Sequence, residues 1–220
     1  MTEPFQYCPP KNPVKILYQD KDVIVVDKPS GLLSVPGRSA DRQDSMYLRI
    51  LEMFPLAQVV HRLDMDTSGL MVYALRRKAE RHLREQFQQR RVQKGYQALV
   101  QGILSESRGV INAPLGPDPS RPLRHCISSA GKASETRFQV VEEGEECSLL
   151  HLQPITGRSH QLRVHLMSIG HPIIGDRFYA PVPIANRSTR LLLHASELYF
   201  RQPYSGKPLQ FTLHSNFSAL

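Results

Sequence analysis

The chain has 220 residues, 40% of them apolar, and a formal net charge of +8 at neutral pH. That is enough apolar material for a core without covalent staples, and it excludes a disordered chain, while the charge favours an anionic partner. Cys8, Cys126 and Cys147 are far apart with no CxxC pair, which excludes a disulfide scaffold and a cysteine zinc site and suits a reducing compartment.

In chain order, the opening MTEPFQYCPPKNP has no apolar run long enough for a signal peptide, and no later stretch is long enough to span a membrane. The expected compartment is the cytoplasm, without membrane association. Ile16–Tyr18 and Val23–Asp27 read as strands around a polar turn, stopped by Lys28-Pro29-Ser30-Gly31. Residues 32–43 read as loop. DSMYLRILEMF reads as a helix capped by Asp44 or Ser45, with Tyr47, Ile50, Leu51 and Phe54 on one face and Pro55 at its end. HRLDMDTSGL (61–70) lies between two apolar runs, and GLMVYAL reads as a buried strand. Residues 76–94 hold eight basic residues against Glu80 and Glu85; Ala79, Leu83 and Phe87 make this an amphipathic helix with a cationic outer face. GYQALVQGIL reads as a strand, residues 114–134 as an exposed loop, and ETRFQVVEE with CSLLHLQPITG as a hairpin. SHQLRVHLMSIG reads as a helix capped by Ser159 and ended by Gly170, with Leu162, Leu166 and Ile169 buried. LLLHASELYF and PLQFTLH give two last strands. Short turns between strands rule out parallel crossovers, so the expected fold is α+β, a mostly antiparallel mixed sheet with flanking helices.

Three polar groups stand against this frame. Asp66-Thr67-Ser68-Gly69 is good turn chemistry. It also flanks Asp64, which a strand would point to the same side as Arg62; a neighbouring cation keeps a carboxylate ionised and ready as nucleophile or base. Arg158, His160, Arg163 and His165 form a solvated face, or else Arg163 reaches a carboxylate or phosphate from inside. Tyr96, at the start of an apolar strand, is a core or rim residue or part of a site. The basic helix is a solvated face or a phosphate-facing one. The chain holds no GxxxxGK, GxGxxG or GxSxG and no HExxH, and the spacing of His160 and His165 splays them on a helix. No metal site, nucleotide cofactor or serine nucleophile is expected. The residues alone describe a nucleic-acid-binding protein with one suspect carboxylate.

KPSGLLSVPG (28–37), HRLDMDTSGL (61–70), KGYQALVQG (94–102), GRSHQLRVHLMSIGHPIIGDRFY (157–179) and LLLHASELYF (191–200) together resemble the ordered signature of the RluA family of pseudouridine synthases. The resemblance implies the pseudouridine synthase catalytic fold as a single domain over residues 1–220, without the separate N-terminal RNA-binding domain that many members carry. It implies isomerisation of uridines in tRNA and large-subunit ribosomal RNA stem-loops, with no cofactor, no obligatory protein partner and a monomeric enzyme. Uracil leaves its ribose, turns, and rejoins through a ring carbon. By the same resemblance Asp64 is the essential carboxylate, Tyr96 stacks on the base, and Arg163 pairs with the aspartate; attack on the sugar, attack on the ring and removal of a sugar proton are all open to Asp64. The base must be everted to be reached, and cationic contacts to phosphate offset the cost. Arg62 is then placed to fill the gap left by the base, and His61, Arg81, Arg84, Arg90, Arg158 and His160 to contact RNA. Two other readings compete: a non-catalytic basic RNA-binding protein, and a metal-dependent nuclease built from His61, Asp64, Asp66 and His160.

Overall fold

Asp20 closes the first hairpin. Its Oδ1 accepts the backbone N–H groups of Asp22 (2.7 Å) and Val23 (2.8 Å), an Asx turn that fits the polar stretch between two apolar runs. The structure is a computed structural model describing residues 6–219; residues 1–5, part of the opening segment read above as lacking a leader, lie outside the described residues. The chain forms two compact units. One reaches to Arg91 and includes Phe200–Leu209; the other comprises Val92–Tyr199 and the chain from Gln210 onward.

In the first unit β1 (Lys15–Gln19) pairs antiparallel with β2 (Val23–Lys28), and β2 with β4 (Ser68–Ala74). Val23 to Val26 and the whole of β4 are buried, which is why both read as continuous apolar runs rather than alternating ones. α1 (Met46–Met53) starts where Ser45 accepts the N–H of Leu48, as expected of the two candidate caps, and buries Met46 and Ile50. The short β3 (Gln58–Val59) pairs with β4. α2 (Arg77–Gln88) buries Ala79 and Leu83 as expected, but its third buried residue is Gln86, not Phe87. Gln86 is stable there because its amide donates to Arg201 O and accepts from Arg201 N, both at 2.8 Å, so neither polar atom is orphaned.

The second unit is built on antiparallel strands in the order β11-β5-β10-β9-β6: β5 (Gln93–Gln101), β6 (Arg108–Asn112), β9 (Glu135–Glu143), β10 (Cys147–Pro154) and β11 (Leu193–Arg201). β7 (Leu115–Pro117) and β8 (His125–Ile127) form a separate small hairpin inside the segment expected to be plain loop. β12 (Pro208–Thr212) pairs with β11. Ala98, Val100, Leu150, Leu152, Leu162, Leu166, Leu191 and Leu193 form one apolar core. α3 (Gln161–Ser168) packs on β8, β9 and β10, and α4 (Val182–Ala185) is a single turn.

α3 departs from expectation in two ways. Ser159 does not cap it; the chain enters through His160 in the left-handed region (φ 56°), and the Gln161 side chain accepts the Arg158 N–H at 3.1 Å instead. Nor is α3 amphipathic: Gln161 to Leu166 are all buried while Ile169 is 38% exposed. Its polar residues are buried because each has a partner. His165 Nε2–H donates to Ala113 O (3.0 Å) and Nδ1 accepts from the Thr136 hydroxyl (2.9 Å), which defines a neutral ring. Burial holds its pKa below the ordinary 6.5, with the Ala113 bond opposing. A histidine depressed in the folded state contributes its full stability above the unfolded value and loses it as the pH falls below about 6.5, because only the unfolded chain then gains the proton. Thermal unfolding should therefore fall between about pH 7.5 and 5, and His165→Asn should flatten that part of the profile.

All ladders described above are antiparallel, and the fold is α+β. Among the described residues no helix is long and apolar enough to cross a membrane.

Candidate active site

Asp64 lies in the first unit, in an irregular segment rather than a strand; it is half-buried, whereas Arg62 is exposed and makes no ion pair among the described residues. The expected Arg62–Asp64 partnership is therefore absent. What positions Asp64 is its backbone. On one side, Ser34 Oγ donates to Leu63 O (2.6 Å) and accepts from Leu63 N (3.1 Å). On the other, Met65 O accepts from Gly31 N (3.0 Å) and Lys28 Nζ (2.8 Å), and Ser30 Oγ donates to Asp66 O (2.6 Å). Thr67 N closes the turn on Asp64 O at 3.2 Å. Gly31 makes its contact with φ +81°, a conformation glycine takes without strain. The KPSGLLS and HRLDMDTSG segments thus form one hydrogen-bonded unit around the carboxylate.

Lys28 is fully buried, and its ammonium donates to three carbonyls: Pro29 (2.8 Å), Leu32 (2.7 Å) and Met65 (2.8 Å). Lys28→Met keeps the aliphatic stem and orphans those acceptors, each worth about 1–3 kcal/mol when buried and unsatisfied. The expected outcome is a loss of roughly 3 kcal/mol or more in denaturant unfolding and a lower turnover number, because the same amine holds Met65.

His61 is also committed to scaffolding. Its Nε2 accepts the Val72 N–H at 3.0 Å, and its ring stacks on Phe87 with centroids 4.8 Å apart.

Tyr96, Arg163, Arg158 and His160 belong to the second unit. Tyr96 is half-buried on β5 between Leu152 of β10 and Ala195 of β11, and it packs on the core that contains Leu162, Leu166, Leu191 and Leu193. Lys94 is also half-buried, two residues earlier on the same strand, and burial pulls its pKa below the ordinary lysine value. Arg163 is 4% exposed, and it meets Asp176, 1% exposed, in a two-pronged pair: Nε to Oδ2 at 2.8 Å and Nη2 to Oδ1 at 2.7 Å. The inward reading of Arg163 is the correct one. Asp176 Oδ1 also accepts the N–H groups of Phe178 (2.9 Å) and Tyr179 (3.1 Å), so one carboxylate orders both the guanidinium and the following turn. That turn returns two rings to the arginine, each centroid 5.1 Å from its Cζ. Tyr179 OH accepts from His125 N (2.9 Å) and sits 2.6 Å from His160 Nδ1. Gly175 is required by its own backbone: φ is +79°, and a Cβ there would lie 1.9 Å from Arg190 O.

Among the basic candidates Arg81, Arg84, Arg90 and Arg158 are exposed. Arg84 is partly spent on Glu80 (2.9 Å), and Arg90 follows α2 in the left-handed region, φ 56°. Among the described residues no group of three or more His, Cys, Asp or Glu side chains is arranged to hold a metal ion. Lys28, Ser34, Asp176 and Tyr179 were not nominated from the sequence. Asp176 had a legible signal, an acid after a Gly in the GHPIIGD stretch; Lys28 had none, since it reads as a strand stop.

Comparison with known proteins bears on this arrangement. A family described as RNA pseudouridylate synthase matches residues 22–168. The Dual-specificity RNA pseudouridine synthase RluA of Vibrio cholerae serotype O1 is 48% identical over 202 residues, covering 91% of this chain and 82% of that protein. The protein of the same name from Escherichia coli (strain K12) is 47% identical over 214 residues, covering 96% and 98%. Among solved structures, Human RNA Pseudouridylate Synthase Domain Containing 1 superposes with a TM-score of 0.80 at 30% identity, covering 99% of this chain and 88% of that one. The matched stretch contains Lys28, Asp64, Tyr96 and Arg163, the residues around which both units are organised. The chain belongs to the RluA family of RNA pseudouridine synthases.

Proposed function

We propose that this RNA pseudouridine synthase acts on uridines in tRNA and large-subunit ribosomal RNA stem-loops, the dual specificity that its relatives carry in their name. The N1–C1′ bond of the target uridine breaks, a C5–C1′ bond forms, the C5 proton is lost to solvent and N1 takes one up. Asp64 supplies the carboxylate of this exchange, Tyr96 the ring against which the flipped base lies, and Arg163 the cation that keeps the reaction's carboxylate charged. The supporting observation is the investment in Asp64: backbone pins on both flanking residues, in a segment that is otherwise irregular. A turn that only reversed the chain would not need the side chains of Lys28, Ser30 and Ser34 to fix it. Rigid placement of the reacting group is what lowers a barrier of this kind.

Arg62 fills the stack when the base leaves it. Arg81, Arg84, Arg90, Arg158, His61 and His160 contribute to the RNA footprint, most strongly the exposed arginines. The chain works as a single catalytic domain and a monomer in the cytoplasm, where both RNA classes are found. Mapping pseudouridine in total RNA from cells with and without the gene tests the reading. Loss of discrete sites in tRNA and large-subunit RNA is expected, and an unchanged map would overturn it.

A further inference from the structure

The turn between β11 and β12 presents an exposed tyrosine that the chemistry above does not use. Gln202, itself buried, builds the turn. Its Oε1 accepts the N–H groups of Tyr204 (2.7 Å) and Ser205 (2.6 Å), and its Nε2 donates to Asp22 (2.9 Å) and Asp20 (3.2 Å). The turn is therefore tied to the β1–β2 hairpin, and its shape is fixed. Its tip carries Tyr204, 71% exposed. Two ammonium groups gather at that ring: Lys21 Nζ lies 4.6 Å from its centroid and Lys78 Nζ 5.9 Å. Both lysines are exposed, and among the described residues neither pairs with a carboxylate. The nearby acids are spent elsewhere. Asp20 takes backbone N–H groups and the Tyr18 hydroxyl; Asp22 takes Gln202 and, at 4.0 Å, Arg76. Lys78 is one helical turn from Arg81 on α2, so the positive surface continues along that helix.

Like charges brought together without a counter-charge are costly unless a ligand supplies one. A flat exposed ring on a rigid tip, flanked by cations, suits the two parts of an RNA strand: phosphate for the ammonium groups and a base or ribose for the ring. We infer that Lys21, Lys78 and Tyr204 form an RNA docking point that holds a strand of the substrate outside the residues assigned to the chemistry. The inference rests on the reading that RNA is the substrate.

The test uses the full chain and a labelled tRNA transcript, with affinity measured at two salt concentrations and conversion under single turnover at saturating RNA. Tyr204→Ala should weaken binding at least about fivefold, because base stacking on an aromatic ring contributes on that scale, while Tyr204→Phe keeps it. Lys21→Ala with Lys78→Ala should also weaken binding and make the salt slope shallower by about one. The saturated conversion rate should stay within about twofold of wild type in all three, since none of these side chains touches the reacting nucleotide. If Tyr204→Ala and the double lysine variant both bind like wild type while wild type converts RNA, the docking point is refuted and the proposed function stands. Equal losses in Tyr204→Phe and Tyr204→Ala would refute stacking. Competition by polyglutamate as effective as by RNA would refute RNA as the occupant. A wild-type protein that neither binds nor converts RNA would remove both readings.

Discussion

Asp64→Asn is expected to abolish turnover, by at least about 10³-fold, while RNA affinity stays within a few-fold of wild type. The substitution is isosteric and removes only the charge and the ability to attack or take a proton. The fold has little reason to respond. The loop is held through Leu63, Met65 and Asp66 backbone atoms by Ser34, Lys28, Gly31 and Ser30, and none of those bonds uses the Asp64 side chain. Unfolding should shift by no more than about 1 kcal/mol, the ordinary scale for a half-buried polar change. Asp64→Ala should behave the same way. Binding retained with turnover lost also separates an enzyme from a protein that only binds RNA.

Asp176→Ala is expected to destabilise the chain by about 3–5 kcal/mol, because it leaves Arg163 buried without its carboxylate and frees two N–H acceptor positions at Phe178 and Tyr179. For a chain of this size that is roughly a 6–20 °C drop in Tm. The pair also permits a sharper experiment. Replacing both partners, Arg163→Met with Asp176→Leu, removes two buried charges together and should recover much of the lost stability. It should not recover activity, because Arg163 is required as a cation. Stability regained without turnover would mark the pair as part of the chemistry; turnover regained with stability would make it scaffolding alone.

Much of the fold is legible where the signal is local. β2, β4, β5, β9, β10 and β11 fall where apolar runs and turn residues put them, and Ser45 begins α1 as its type and position suggest. The departures come where a distant partner decides. Gln86 displaces Phe87 from the buried face of α2 because Arg201, 115 residues away, offers both a donor and an acceptor. α3 reads as amphipathic, yet Arg163 and His165 are buried through Asp176, Thr136 and Ala113, none within ten residues of its partner. The Pro-rich segment at 114–134 reads as loop because β7 and β8 have three residues each, too few to show a period. The same holds for the site. Asp64 stood out through its motif, but the residues that fix it did not. Lys28 looks like a strand stop until Met65, 37 residues on, is seen to accept its proton.

The most direct test of the central claim follows the C5 hydrogen. RNA labelled with tritium at uridine C5, incubated with purified protein, should release tritium to water in step with pseudouridine formed, with the RNA unchanged in length, since a C5–C1′ bond replaces the C5–H bond and no phosphodiester breaks. The Asp64→Asn variant should bind the same RNA and release none. Release by that variant at the wild-type rate, or shortening of the RNA by the wild type, would contradict the account.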